Sequence, residues 1–121
     1  MASISRPNFQ DSYTKSRNLK WSPAEKAIAR RAFDRSLQDE LEAVIREAKN
    51  MARKIEEPSE LWELERYLTH CRKEVDRQYD YRYSILPFIF ADLIKKDRLR
   101  EEELEGLAED KLGYIRWHAK L

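Results

Sequence analysis

The sequence predicts an all-α protein, a long N-terminal helix followed by three shorter helices. Three observations carry this reading. Only 2 of the 121 residues are Gly and 4 are Pro, too few for the many tight reversals of an all-β chain. Charged residues make up 39% and apolar ones 41%, the mixture expected of amphipathic helices that each keep one face in water. Between the prolines, apolar residues recur at intervals of three and four.

The same arithmetic excludes whole classes of function. Two glycines cannot supply a glycine-rich phosphate loop or a dinucleotide fingerprint, both of which need the backbone to approach phosphate closely. With 24 basic and 23 acidic residues the net charge is +1, so nothing in bulk draws the chain to nucleic acid or to an acidic membrane surface. The lone cysteine, Cys71, cannot form an internal disulfide and suits a reducing compartment. No apolar run approaches the roughly 18 residues of a membrane span, and no apolar leader opens the chain. A soluble, cytoplasmic protein is expected.

Residues 1–20 are polar and aperiodic and read as a disordered tail, leaving 21–121 as a single helical domain. The first helix starts at a capping box: Ser22 as N-cap, Pro23 at the first helical position, Glu25 completing the box. No breaker follows before Pro58. From Phe33, the residues Leu37, Leu41, Val44, Ile45, Ala48, Met51, Ala52 and Ile55 fall in one arc about 120° wide. Arg35, Asp39, Glu42, Arg46 and Lys49 face the other way. Such a helix is about 50 Å long, whereas a chain of this size has a radius of gyration of about 14 Å. A second copy could bury the excess stripe, so the pattern predicts an antiparallel homodimer with Leu37, Leu41 and Ile45 at its interface. The spacing drifts from a strict heptad, which favours an open helix pair over a coiled coil.

The second helix is expected after Pro58, capped by Ser59, with a core stripe of Leu61, Leu64, Leu68, Cys71 and Val75. Cys71 on that stripe reads as a small core residue. The run from Tyr79 to Ser84 reads as a connection, since one short alternating segment has no partner strand. A short helix follows, with Ser84 as its cap and Pro87 in its first turn. It is apolar all round through Ile85, Leu86, Phe88, Ile89, Phe90, Leu93 and Ile94, so it should be buried on several sides or meet another chain. The last helix is expected from Arg100 to Lys120, with Glu101, Glu102 and Glu103 at its positive end and Leu104, Leu107, Ala108, Leu112, Ile115 and Ala119 facing inward. Gly106 and Gly113 would lie inside it at a cost of about 1 kcal/mol each.

Little of this supports covalent chemistry. His70 and His118 lie on different helices without ligand spacing, and His70 and Cys71 point about 100° apart. No Ser or Cys sits in a nucleophile elbow. The carboxylates fall on solvated faces. No catalytic residue, metal or cofactor is therefore expected. The aromatic residues are more informative. Trp62 points about 140° away from the stripe of its own helix, with Glu65 and Arg72 on the flank between. Trp117 is also off its stripe. Either a neighbouring helix or the dimer mate covers these rings, or they form a partner site, since Trp and Arg dominate binding hot spots.

From Trp21 to Leu121 the chain resembles the fluorescence recovery protein family of cyanobacteria. The resemblance rests on Trp21-Ser22, Phe33 and Glu40-Leu41, then Leu61-Trp62, Leu64, Leu68, Arg72, Glu74 and Asp76. It continues through Tyr79-Asp80, Arg82, Ser84, Phe88, Phe90-Ala91, Leu93, Glu103-Leu104, Leu107-Ala108, Asp110-Lys111 and Ile115. It implies an all-helical homodimer that binds the C-terminal domain of the photoactivated orange carotenoid protein. Reversion of that partner from red to orange and its detachment from the phycobilisome are accelerated, and antenna fluorescence recovers. It also implies a place in the cytoplasm, at the cytoplasmic face of the thylakoid membrane. Carried over by residue, Trp62 and Arg72, with Leu61 beside them, match the family's partner-binding patch. Phe88 matches a position implicated in the head region, and Leu41 and Ile45 fall in the dimer stripe. Glu65, Arg66 and Tyr114 depart from the family pattern, where a His, an acidic and a basic residue are often found, and they change the charge of the interface.

Two other readings compete. A dimeric mutase of the chorismate mutase type also uses a long first helix, but here its Arg and Lys sit on the solvated face. A helical nucleic-acid binder could use Arg30-Arg31, Lys95-Lys96 and the tyrosines, against a near-neutral charge.

Overall fold

The computed structural model describes residues 15–121. Helix α1 runs over Pro23–Arg53, α2 over Pro58–Gln78, α3 over Leu86–Lys95 and α4 over Glu109–Ala119, with a 3-10 turn at Glu101–Leu104 before α4. The only β pairing among the described residues is an isolated bridge between Glu105 and Leu107. The fold is all-α, with the long helix first.

The start of α1 follows the sequence. Ser22 Oγ accepts from Glu25 N at 3.1 Å, and Glu25 Oε1 accepts from Ser22 N at 3.0 Å. The helix is about 46 Å long at 1.5 Å per residue. Its first half is buried in a head, and its second half pairs with α2 in a two-helix stem.

The head core gathers Ala29, Ala32 and Phe33 of α1, Leu86, Ile89, Phe90, Ala91 and Leu93 of α3, and Leu99, Leu104, Leu107 and Ile115 beyond them. The all-round apolar α3 is buried on several sides, as its composition predicts. The 79–85 connection packs over this core through an aromatic ladder. Trp21 meets Tyr83 at 5.5 Å, Tyr83 meets Tyr81 at 5.4 Å, and Tyr81 meets Phe33 edge-on at 4.9 Å. Arg30 lies 4.4 Å above the Tyr81 ring.

Several expectations are corrected. The last helix is not continuous from Arg100 to Lys120. It breaks at Gly106, which has φ +106°, and a Cβ there would stand 2.6 Å from Ile28 Cδ1. Gly106 is thus a turn residue under close packing, and the chain needs glycine there. Gly113 does lie inside α4, where added bulk would meet nothing closer than 3.9 Å. The acidic first turn of α4 is Glu109-Asp110, not Glu101–Glu103, and Ala108 occupies the N-cap. Ser59 is not the cap of α2: Pro58 already occupies the first turn, Glu57 is the N-cap, and Glu60 accepts from Glu57 N at 2.9 Å. Proline has no N–H to satisfy, so starting the helix on it costs no bond. Ser84 does not cap α3; Ile85 does. The Ser84 carbonyl instead accepts from Ser16 Oγ at 2.7 Å. Ser16 is buried and residues 15–17 form a helical turn, so packed structure is already present ahead of Trp21. Residues 1–14 of the expected tail lie outside the described residues. Finally, the stripe of α2 is not a core within one chain. No residue of α2 is buried, and Leu61 and Leu68 are 48% and 41% exposed. The cause is geometric, because α2 lies along α1 and reaches the head only at its last turn.

Candidate partner-binding surfaces

Two surfaces carry the residues singled out from the sequence. The first is a groove on the stem of about 580 Å³, lined by Leu61, Trp62, Leu64, Glu65, Leu68, Thr69 and Arg72. Residues 61, 65, 68 and 72 follow one another at steps of four, three and four, so α2 stacks them on one face. Trp62 flanks that row and is 57% exposed. Arg72 makes no ion pair with any described residue, so its charge is available to an incoming group. Thr69 Oγ1 leans on Glu65 Oε1 at 3.5 Å, at the limit of a hydrogen bond. The structure therefore brings Leu61, Trp62 and Arg72 together.

Phe88 does not join them. It stands in the head, in a cleft of about 600 Å³ shared with Arg77 and Gln78 at the end of α2 and with Ile85, Ile89, Asp92 and Lys96. Its ring meets Tyr114 edge-on at 5.7 Å and His118 at 4.6 Å, and Trp117 stands 4.7 Å from His118. Burial in this cluster, and then the nearby Lys95 ammonium, push His118 below the usual histidine range, so it is neutral at pH 7. Its Nε2 is buried without a hydrogen-bond partner among the described residues.

Of the interface residues expected on α1, Leu41 and Ile45 are 39% and 51% exposed, while Leu37 is half-buried against the head core. Cys71 is half-buried rather than enclosed, and the hydroxyl of nearby Tyr67 is pushed up to about 12 by burial and then by the Cys71 thiol. Among the described residues no three His, Cys, Asp or Glu side chains gather as a metal ion requires, and no helix is long and apolar enough to cross a membrane.

The profile of a family described as "photoprotection regulator fluorescence recovery protein" matches residues 21–119. The chain belongs to the fluorescence recovery protein family. It is 37% identical over 101 residues to the fluorescence recovery protein of Synechocystis sp., an alignment spanning 84% of this chain and 93% of the relative. The solved fluorescence recovery protein of Fremyella diplosiphon aligns over 84% of this chain and all of its own, with 38% identity and a TM-score of 0.79. The Synechocystis structure aligns equally well, with 36% identity and a TM-score of 0.79. The family is described as a regulator of photoprotection, not as an enzyme.

Sequence reasoning missed the best-buried charge in this fluorescence recovery family member. Lys111 is 2% exposed, and its Nζ lies 3.0 Å from Glu25 Oε2, 3.2 Å from Asp110 Oδ1 and 5.4 Å from the centre of the Trp21 ring. Glu25 Oε2 also accepts from Ala108 N at 2.9 Å, so the carboxylate that caps α1 caps α4 as well. Desolvation pushes Glu25 up, but the hydrogen bonds from Ser22 N and Ala108 N, together with Lys111, outweigh it and hold the carboxyl at about 2. One signal was available: Lys111 stands four residues before Ile115, on the inward side of α4. Trp21-Ser22 and Asp110-Lys111, which help to carry the family resemblance, are thus parts of one lock between the starts of two helices.

Proposed function

We propose that this protein acts as a homodimer that binds the C-terminal domain of the photoactivated orange carotenoid protein, speeds its return from red to orange and promotes its release from the phycobilisome. The observation that carries the reading is the exposed Trp62 beside the unpaired Arg72 on the stem, in a chain of this family. An indole and a guanidinium on one open apolar groove have the composition of a binding hot spot. Leu61 supplies apolar area next to them, and Phe88 gives a second contact on the head. The process accelerated is a change of conformation, so the protein works by binding the compact form, or the barrier leading to it, more tightly than the open one.

Dimerisation rests on the stem. Leu41 and Ile45 lie open on a helix that its own chain covers on one side only, and a second copy would bury both, with Leu37 at the head end of the stripe. The protein would meet its partner in the cytoplasm, where the antenna faces the thylakoid surface.

The test is the loss of red absorbance of light-activated carotenoid protein in the dark, with and without this protein. A rate above the spontaneous one is expected. An unchanged rate over a range of protein concentrations overturns the reading.

A further inference from the structure

The two candidate surfaces lie on different parts of the molecule, one on α2 of the stem and one on α3 of the head. Their mutual placement depends on how the head is joined to the stem: α1 runs unbroken through both, and where the end of α2 meets it the joint is built around two hydroxyl groups. Ser36 lies on α1 and is fully buried. Tyr79 ends α2, its backbone N–H bonded to the Val75 carbonyl at 2.9 Å. The third participant is the backbone carbonyl of Arg98, in the turn that follows α3.

Ser36 Oγ donates to that carbonyl at 3.2 Å. The two hydroxyls also stand 3.0 Å apart, a contact in which either can donate. Tyr79 Oη donates to the Ser36 carbonyl at 3.2 Å, so two hydroxyl hydrogens serve three close contacts. Burial raises the Tyr79 hydroxyl above its ordinary value, so it keeps its proton at every physiological pH. The Tyr79 ring is held edge-on to Phe33 at 5.5 Å. Two further links flank the joint: Arg98 pairs with Glu40 at 3.1 Å, and Lys96 Nζ donates to Gln78 Oε1 at 2.6 Å. Each link ties the stem to the segment leaving α3.

We propose that Tyr79 and Ser36 are positioning residues that set the spacing between the Trp62–Arg72 groove and the Phe88 cleft, so that a single partner domain is engaged by both at once. This rests on the functional reading above. Two contacts on a rigid body bind far more tightly than either alone, because the second forms at a high effective concentration. Loosening the joint lowers that concentration without touching either contact. Tyr79→Phe does this by removing one oxygen while leaving the ring against Phe33.

The experiment titrates light-activated carotenoid protein with the full-length chain in four forms: unaltered, Tyr79→Phe, Phe88→Ala and the double variant. In the unaltered background Tyr79→Phe is expected to weaken binding about tenfold. In the Phe88→Ala background it should change nothing, because a single remaining contact has no second one to be aligned with. Equal weakening in both backgrounds would show a merely structural role, and no weakening in the unaltered background would show a joint of no consequence; either overturns the proposal. Should Tyr79→Phe fail to fold, Ser36→Ala keeps every ring and carries the same comparison. If Phe88→Ala by itself binds as the unaltered chain does, the failure lies in the functional reading of the head surface, and the proposal falls with it.

Discussion

As far as Ser36, α1 runs through a closed core; beyond Glu40 the same helix, and all of α2, leaves apolar side chains in the open. The head completes itself within one chain. Three helices and a 3-10 turn surround Phe90, Leu86, Leu93, Leu104 and Ile115, each without accessible surface to speak of. The stem has only two helices, and two helices bury one stripe apiece. What remains on Leu41, Ile45, Leu61 and Leu68 is apolar surface that the chain itself does not cover. The contrast separates what holds this protein together from the apolar surface to which the proposed dimer and partner contacts are assigned.

Substitutions can break that contrast or sharpen it. Phe90→Ala in the head should cost about 3–5 kcal/mol, read from urea unfolding, because a large fully buried ring leaves a cavity. A loss as small as that of a surface change would mean the head core is not closed. Ile45→Glu in the stem should instead cost about 3 kcal/mol of association, by burying an unpaired carboxylate in the proposed dimer, and sedimentation should show monomers that keep their helicity. A protein that sediments unchanged would place the dimer contact elsewhere.

Lys111→Met should destabilise the head by about 3 kcal/mol, since it leaves the Glu25 carboxylate buried without its cation. Arg116→Met, which removes the exposed pairs to Glu101 and Glu109, should leave the unfolding midpoint where it was. The lock also has a pH signature. Glu25 is held at about 2 against an ordinary value of 4.5, so its contribution is complete above about 4.5 and is lost as the pH falls towards 2. Glu25→Gln should therefore flatten the acid limb of the stability profile in that window, and an unchanged limb would assign it to other carboxylates.

Trp62→Ala should weaken the proposed carotenoid-protein complex by about 2 kcal/mol with no change in melting temperature, because the ring is more than half exposed in the free chain. A melting temperature that falls in step with affinity would make Trp62 part of the fold. A smaller effect, and of opposite sign, is expected at Asp97, which has φ +58° at the end of α3, where Arg98 N bonds to the Leu93 carbonyl at 2.9 Å and Asp97 N to that of Ile94 at 3.1 Å. This is the left-handed closure that glycine favours, and Asp97→Gly should raise stability by about 1 kcal/mol. A loss would mean that the Asp97 side chain contributes more than its backbone costs.

Local features were legible in the residues. The Ser22–Glu25 box, the buried α3 and the exposed Trp62 all follow from spacing within a turn or two of helix, because those interactions are between near neighbours. Gly106 was misread for the same reason. A glycine inside a helix costs only about 1 kcal/mol, so the local pattern tolerated it there. What forces the turn is Ile28, a residue of α1. Lys111 was missed because its charge is matched by Glu25 from the far end of the sequence, and Ser36 because its partners are Tyr79 and Arg98. That Leu61, Glu65, Leu68 and Arg72 share one helix face follows from their spacing, but their separation from Phe88 does not, since no helical period relates one helix to another.

The sequence by itself determined the all-helical class, the start of the first helix, the faces that must be covered and the absence of a disulfide framework, since each follows from short-range spacing and composition. Tertiary structure alone decided where the last helix breaks, which charges are buried, how the head is bolted to the stem, and that the α2 stripe stays open. Those outcomes depend on residues distant in sequence meeting in space, and only the folded chain brings them together.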